Sequence, residues 1–232
     1  MQRVSPQRLA VLASGRGSNL QAILDAIAEK KLNASVVGVF SDCPNAPALL
    51  RVSTDCRWSE DARAFGSRKA FDDALAQAVA ATHPHWVVCA GYMRILGPAF
   101  VSRFGPHILN IHPSLLPRHK GLHTHARVLQ AGDRTHGASV HLVTDGLDEG
   151  RVLAQATVQV LPDDTPELLA QRVLQYEHPL YVATLRLLVD QRLRANYHQV
   201  FWDDVPLAGA LHLTDSGCLS QLQTILSDNL SC

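Results

Sequence analysis

An open, mostly parallel, twisted α/β sheet with helices on both faces is the fold this sequence predicts. Three observations carry it. The apolar runs 9–13, 36–40, 86–90 and 108–111 are continuous and not alternating, the pattern of strands buried on both faces. Between the first two, Leu20, Ile23, Leu24 and Ile27 follow the i, i+3, i+4, i+7 spacing of a helix, which makes a β-loop-α-β opening. The chain has 232 residues, 47% hydrophobic and 18% charged, enough for one sizeable core, and this excludes wholesale disorder.

The elements follow in order. The first strand, 9–13, enters Ser14-Gly15-Arg16-Gly17-Ser18-Asn19 before the first helix, and 36–40 closes at Ser41-Asp42. Residues 42–66, with Pro44, Pro47, two cysteines and scattered charges, match no regular element. A helix over 70–81 puts Phe71, Leu75, Ala78 and Val79 on one side, and His83-Pro84-His85 ends it. Strands over 139–143 and 152–160 flank the turn 144–150. Thr165-Pro166 opens a long helix, since Thr is a favoured cap and Pro is tolerated at the first helical position; a break is expected at Pro179. Beyond Arg192 the pattern weakens, with one short helix expected over 219–226. Residues 1–192 are expected to form the main domain, and 193–232 a C-terminal extension of unassigned role.

Composition narrows the function. Lys+Arg and Asp+Glu both number 21, so no charge excess points to nucleic acid or an anionic membrane. Five widely spaced cysteines include no C-x-x-C, which fits a reducing, cytoplasmic setting. The run 9–13 is too short for a signal core, and nothing approaches the roughly 20 apolar residues of a spanning helix. A soluble cytoplasmic protein is the expectation, and the sequence leaves a monomer or a homodimer open.

Three segments can carry chemistry. The glycine-rich turn between strand and helix exposes backbone N–H groups at the positive end of the helix dipole, which suits a phosphate. Gly15-Arg16-Gly17-Ser18-Asn19-Leu20 meets the dinucleotide fingerprint only in part, with Asp42 where a ribose-binding acid would sit. A plain tight turn with Asn19 as helix cap is the alternative. In Asn110-Ile111-His112-Pro113, an amide and an imidazole two residues apart on a strand share a face. Asn can donate to a developing oxyanion, and His, with an ordinary pKa of about 6.5, can move a proton near neutrality. In Asp145-Gly146-Leu147-Asp148-Glu149-Gly150 a carboxylate could orient that imidazole, although a lone Asp in such a turn is more often just solvated. Loops that follow parallel strands meet at one edge of the sheet. Nine of the 12 histidines lie between His83 and His141, which raises the question of metal. No cysteine or carboxylate stands at a zinc spacing beside His123-Thr124-His125, so no metal is expected.

Together, Ser-Gly-x-Gly-Ser-Asn-Leu at 14–20, Gly-Tyr-Met-Arg-Ile-Leu at 91–96 and Asn-Ile-His-Pro-Ser-Leu-Leu-Pro at 110–117 resemble the phosphoribosylglycinamide formyltransferases. Gly-Leu-His-Thr-His at 121–125, His-Gly-Ala-Ser-Val-His at 136–141 and Glu177-His178 extend the resemblance, which covers roughly residues 8–193. It implies a Rossmann-like formyltransferase fold and transfer of a formyl group from 10-formyltetrahydrofolate, as co-substrate, to the amino group of glycinamide ribonucleotide, without metal. By motif the catalytic set is Asn110, His112 and Asp148, the phosphate loop is Gly17, Ser18 and Asn19, and the ribose-binding acid is Glu177. The folate pocket is Arg68, Met93, Arg94, Ile95, Leu96 and Asn110, together with Thr144, Asp145, Gly146, Leu147 and Asp148. His123, His125, His136 and His141 are expected to support the site or the fold. Residues 42–66 depart from the family pattern, and Glu149 stands where a small residue is common.

Two other readings share part of this pattern. A formyltetrahydrofolate hydrolase, or a formyltransferase acting on a different amine such as methionyl-tRNA, would use the same Asn-x-His…Asp core. Those relatives carry further domains, and the Gly-Ser-Asn loop favours a phosphorylated small acceptor. A dinucleotide-binding protein would use the glycine loop and Asp42, and would leave Asn110, His112 and Asp148 without a common role.

Overall fold

The computed structural model describes residues 5–221. β1 (Gln7–Leu12), α1 (Ser18–Ala28) and β2 (Ala34–Ser41) form the opening unit, and β3 (Arg57–Ser59) pairs outside β2. α2 (Arg68–Ala81), β4 (Trp86–Cys89), α3 (Pro98–Phe104), β5 (Ile108–His112) and α4 (Thr124–Gln130) come next. β6 (Thr135–Leu142), β7 (Val152–Gln159) and α5 (Pro166–Val189) complete the larger elements. Five short strands follow: β8 (Leu193–Ala195), β9 (Val200–Trp202), β10 (Val205–Pro206), β11 (Leu211–Leu213) and β12 (Leu219–Ser220).

Nine strands make one sheet in the order β12-β11-β7-β6-β5-β4-β1-β2-β3. β3, β2, β1, β4 and β5 are mutually parallel, and β6 runs against both β5 and β7. The sheet is thus mixed and mostly parallel. β8, β9 and β10 form a separate antiparallel sheet.

Alternation along β1 shows how the core divides. Leu9 and Val11 face the layer that holds Leu20 and Ile23 of α1 and Leu180 and Leu185 of α5. Ala10 and Leu12 face the opposite layer, with Phe71 and Leu75 of α2 and Phe100 of α3. Successive side chains of a strand point to opposite faces, so a strand covered on both sides is apolar throughout.

The helix starts follow local chemistry. The Ser67 hydroxyl accepts from Ala70 N at 3.1 Å and caps α2, and Thr165 accepts from Leu168 N at 3.3 Å and caps α5. The expected break at Pro179 does not occur, for α5 runs unbroken from Pro166 to Val189. Proline costs the helix one hydrogen bond, but Leu180, Tyr181, Leu185 and Leu188 beyond it are buried in the same layer as Leu169 and Val173 before it. That packing holds both halves on one axis. The helix expected over 219–226 is also corrected at its start. Leu219–Ser220 is a strand antiparallel to β11, and 222–226 lie outside the described residues.

Residues 42–66 contain three short 3-10 turns (Pro47–Arg51, Thr54–Cys56 and Ala62–Ala64) besides β3. Beyond α5, Leu193, Val200, Leu207, Leu211 and Leu219 are buried in the layer that holds α1 and α5, and Leu211 and His212 pair in parallel with Ala154 and Gln155. No helix among the described residues is long and apolar enough to cross a membrane.

Tyr181 is fully buried, and its hydroxyl lies 3.1 Å from the Cys89 carbonyl and 3.3 Å from the Leu109 carbonyl. It therefore joins α5 to β4 and β5, the strands that lead into the site. Tyr181→Phe is expected to lower the unfolding free energy by about 1 kcal/mol. Urea denaturation measures it, and wild-type stability in the variant would show that the hydroxyl contributes nothing.

Candidate active site

The ends of β1, β2 and β4 are fastened together by one residue. Ser14 N donates to the Gly91 carbonyl at 3.0 Å, and its hydroxyl donates to Asp42 Oδ1 at 2.6 Å while accepting from Met93 N at 2.9 Å. One carboxylate oxygen of Asp42, the candidate ribose acid of a dinucleotide site, is therefore engaged by Ser14.

Beyond these ends lies a cavity of about 620 Å³, a size suited to a small organic ligand. Met93, Arg94, Ile95, Leu96, Asn110, His112, Thr144, Gly146, Leu147 and Asp148 all line it. Asp145 does not line it. Arg68 sits beside it, with Nη2 donating to the Ile95 carbonyl at 2.6 Å and Nε 3.6 Å from Asp72 Oδ2. Arg94 lies over the Phe71 ring at 5.0 Å. Burial pushes the Asp72 carboxyl up, and Arg68 and Arg94 oppose that.

Asn110 and His112 share one face of β5, as the strand period requires. The Asn110 amide nitrogen is 3.1 Å from His141 Nε2, its register partner on β6. An amide N–H donates, so Nε2 of His141 accepts, and its Nδ1 donates to the Leu142 carbonyl at 2.9 Å. His141 is thus neutral, in keeping with the burial that pushes its pKa down against the opposing Leu142 carbonyl and Asp148.

His112, 6% exposed, has Nε2 3.1 Å from the His119 carbonyl and Nδ1 3.4 Å from Asp148 Oδ2. Both neighbours are acceptors, so each ring nitrogen of His112 meets an oxygen. Asp148 occupies left-handed backbone (φ 51), accepts from Gly121 N at 2.9 Å, and lies 3.6 Å from His141 Nε2. Cys89 also lines the cavity, but burial pushes its thiol up to about 12, so it is not a nucleophile near neutrality.

A second cluster forms where α1 meets α5. Gly17 is the cap of α1 at φ 73, and its missing Cβ would stand 2.7 Å from Ala48 Cβ, so both conformation and space demand glycine. Asn19 is not the cap. Its amide nitrogen donates to Glu177 Oε2 at 2.8 Å, and its buried Oδ1 has no partner among the described residues. Burial pushes the Glu177 carboxyl up, opposed by the Asn19 bond. The first N–H groups of α1 have no partner within the helix and point out beside Ser18.

Sequence reasoning missed Ser14, the pairing of His141 with Asn110, and the segment 118–123. The alternation of His141 with Ser139 on an apolar strand was the available signal for the second, and the glycine at 121, a residue free to take the left-handed backbone (φ 79) found there, for the third. Among the described residues, no group of three or more histidine, cysteine or acidic side chains is arranged to hold a metal.

His136 Nε2 lies 3.0 Å from His125 Nδ1, with the rings edge to face. Burial, and then the facing His125, push His136 down to about 4 from 6.5, and burial lowers His125 as well. Between those two values the unfolded chain binds a proton that the folded chain refuses, so stability rises with pH across that window. His136→Gln is expected to flatten the dependence of unfolding free energy on pH there, measured by denaturant titration at several pH values; a slope equal to the wild type would rule the residue out as its source.

The formyl transferase family model matches residues 7–185. The chain is 44% identical over 197 residues to the phosphoribosylglycinamide formyltransferase of Escherichia coli, covering 84% of this chain and 93% of that protein. The structure of the Coxiella burnetii phosphoribosylglycinamide formyltransferase superposes with a TM-score of 0.81 at 42% identity, covering 88% of this chain and 98% of that one. That of glycinamide ribonucleotide transformylase 1 from Symbiobacterium toebii gives 0.82 at 40%, covering 86% and 95%. With these similarities joined to the fold and the cavity, the chain belongs to the formyl transferase family, among its phosphoribosylglycinamide formyltransferases.

Proposed function

We propose that Asn110, His112 and Asp148 carry formyl transfer from 10-formyltetrahydrofolate to the amino group of glycinamide ribonucleotide. The observation that carries this reading is the convergence of the three on one cavity, with His112 between the His119 carbonyl and Asp148.

The neutral amine attacks the formyl carbon, and the carbonyl oxygen gains charge. Asn110 has two amide hydrogens, of which His141 takes one. The second faces that oxygen. His112 supplies the other donor through its Nδ1 edge, whose 3.4 Å separation from Asp148 leaves it able to turn onto substrate. Asp148 favours the charged imidazole and takes up, directly or through water, the proton released by the attacking nitrogen. Collapse of the tetrahedral species breaks the bond to N10 of the folate, which gains a proton, so proton number balances. No covalent enzyme intermediate is needed.

The residues around the cavity support the two binding halves. Met93 to Leu96, Thr144, Gly146 and Leu147 form an apolar slot with backbone donors for a flat heterocycle, Asp145 belongs to the same loop, and Arg68 and Arg94 supply positive charge for the folate's glutamate carboxylate. Gly17, Ser18 and Asn19 offer N–H groups and a hydroxyl to the ribonucleotide phosphate, and Glu177 accepts from its ribose hydroxyls.

His112→Ala is expected to cut kcat by about 10²- to 10⁴-fold and to leave ribonucleotide binding intact; near-normal turnover sinks the assignment. Ser18→Ala, which removes the hydroxyl offered to the phosphate, is expected to raise the ribonucleotide KM about tenfold, the worth of one hydrogen bond to a charged group, and to leave the folate KM unchanged. Equal effects on both would remove the phosphate role. An assay of 10-formyltetrahydrofolate with glycinamide ribonucleotide, water and methionyl-tRNA as acceptors separates this activity from hydrolysis and from tRNA formylation.

A further inference from the structure

The loop that delivers Asp148 makes a second contact with the segment it touches. Lys120 Nζ lies 3.0 Å from Glu149 Oε1, in a bridge whose side chains are 35% and 59% exposed. Neither residue lines the cavity. The Glu149 side chain folds back over Gly146, where an added Cβ would stand 2.3 Å from Oε2, so this conformation requires glycine at 146. Leu147 Cδ2 covers Gly121 in turn, 3.4 Å from where a Cβ would be.

The segment around Lys120 is already anchored on its other sides. Arg118 and His119 both reach Asp133, at 2.5 and 2.7 Å, and Arg127 Nη1 donates to the Lys120 carbonyl at 2.5 Å. The Gly121–Asp148 hydrogen bond, the Leu147 contact and the Lys120–Glu149 pair join 118–123 to 143–149. The first of these uses the carboxylate oxygen that faces His112.

We propose that the Lys120–Glu149 pair is a clasp that sets the gap between these two segments and thereby keeps Asp148 on His112. Lys120 and Glu149 are positioning residues that do not touch substrate. The inference rests on the reading of His112 and Asp148 as the catalytic pair. An exposed ion pair contributes little to global stability, but it acts on a local equilibrium between closed and open loops, where a small bias changes the closed fraction directly. It also weakens as salt screens the charges.

The test compares the wild-type chain with Lys120→Gln, Glu149→Gln and the exchanged pair Lys120→Glu/Glu149→Lys. Hydrogen exchange at the Gly121 amide, without substrate, reads loop apposition; kcat and both KM values at low and high salt read its effect on the reaction. The expected result is Gly121 exchange about two- to fivefold faster in each single variant, with kcat lowered by a similar factor and the ribonucleotide KM unchanged. The exchanged pair restores both, and the salt dependence of kcat is lost in the single variants. Wild-type exchange in the single variants, or exchange and kcat that the charge swap fails to restore, overturns the clasp. Faster exchange with unchanged kcat overturns its positioning role. If the wild-type chain transfers no formyl group to glycinamide ribonucleotide, the reaction assignment fails, and the exchange rates still decide whether the clasp exists.

Discussion

Asp148 brings two carboxylate oxygens to three nitrogen neighbours. Oδ2 takes the Gly121 N–H at 2.9 Å and faces His112 at 3.4 Å, and Oδ1 faces His141 at 3.6 Å. These neighbours come from β5, from β6 and from the segment after β5, so one side chain closes a contact among three parts of the chain. A carboxylate only 10% exposed needs N–H donors such as Gly121 and His112, because burying an unpaired charge is costly; Nε2 of His141, itself an acceptor, only lies alongside. The same requirement holds the loop over the cavity: moving Asp148 outward would leave the His112 Nδ1 edge without its acceptor.

Backbone strain and neutral histidines support that arrangement. Asp148 sits at φ 51 and His119 at φ 53, conformations that non-glycine residues adopt only where the surroundings hold them. His141 stays neutral because it is buried, which lets it accept from Asn110 and keeps that amide in one orientation. Had His141 been charged, Asn110 would have to turn its oxygen toward the ring, and its donor role would be lost. The other histidine pair, half-buried His125 and buried His136, shares one hydrogen bond beside the same cavity. The density of histidine between 83 and 141 thus reflects several separate functions of the neutral and charged ring.

Much of this was legible in the sequence, and the reasons differ from element to element. Continuous apolar runs marked β1, β2, β4 and β5 because a doubly covered strand has no polar face. Period two placed Asn110 with His112. Pro179 misled because propensity is local, whereas Leu169, Val173, Leu180 and Leu185 hold α5 straight through tertiary packing. α3 and α4 are seven residues each, too short for a periodic pattern to stand out. Ser14 could not be read, since its importance comes from three strand ends meeting in space. Asn19 was legible as polar and near a helix start, but its partner Glu177 is 158 residues away, and no local rule connects them.

The reversal of β6 has a consequence for how the chain can change in length. Because β6 runs against β5, Leu142 leaves the sheet opposite Leu109, while His112 lies opposite Ser139, about 10 Å further along. The chain between β6 and β7 therefore has to double back to set its carboxylate beside the imidazole. Its base is pinched shut: Leu142 N donates to the Arg151 carbonyl at 2.9 Å, and a Cβ on Gly150 would lie 1.7 Å from the Leu142 carbonyl oxygen. With its base closed, a residue inserted or deleted between Val143 and Gly150 changes the reach of the span that sets Asp148 beside His112. The 3-10 turns between Asp42 and Gly66 lie along one edge of the same sheet and carry no such constraint from the imidazole. A change of length there leaves the carboxylate in place, whereas one in the short span after β6 moves it.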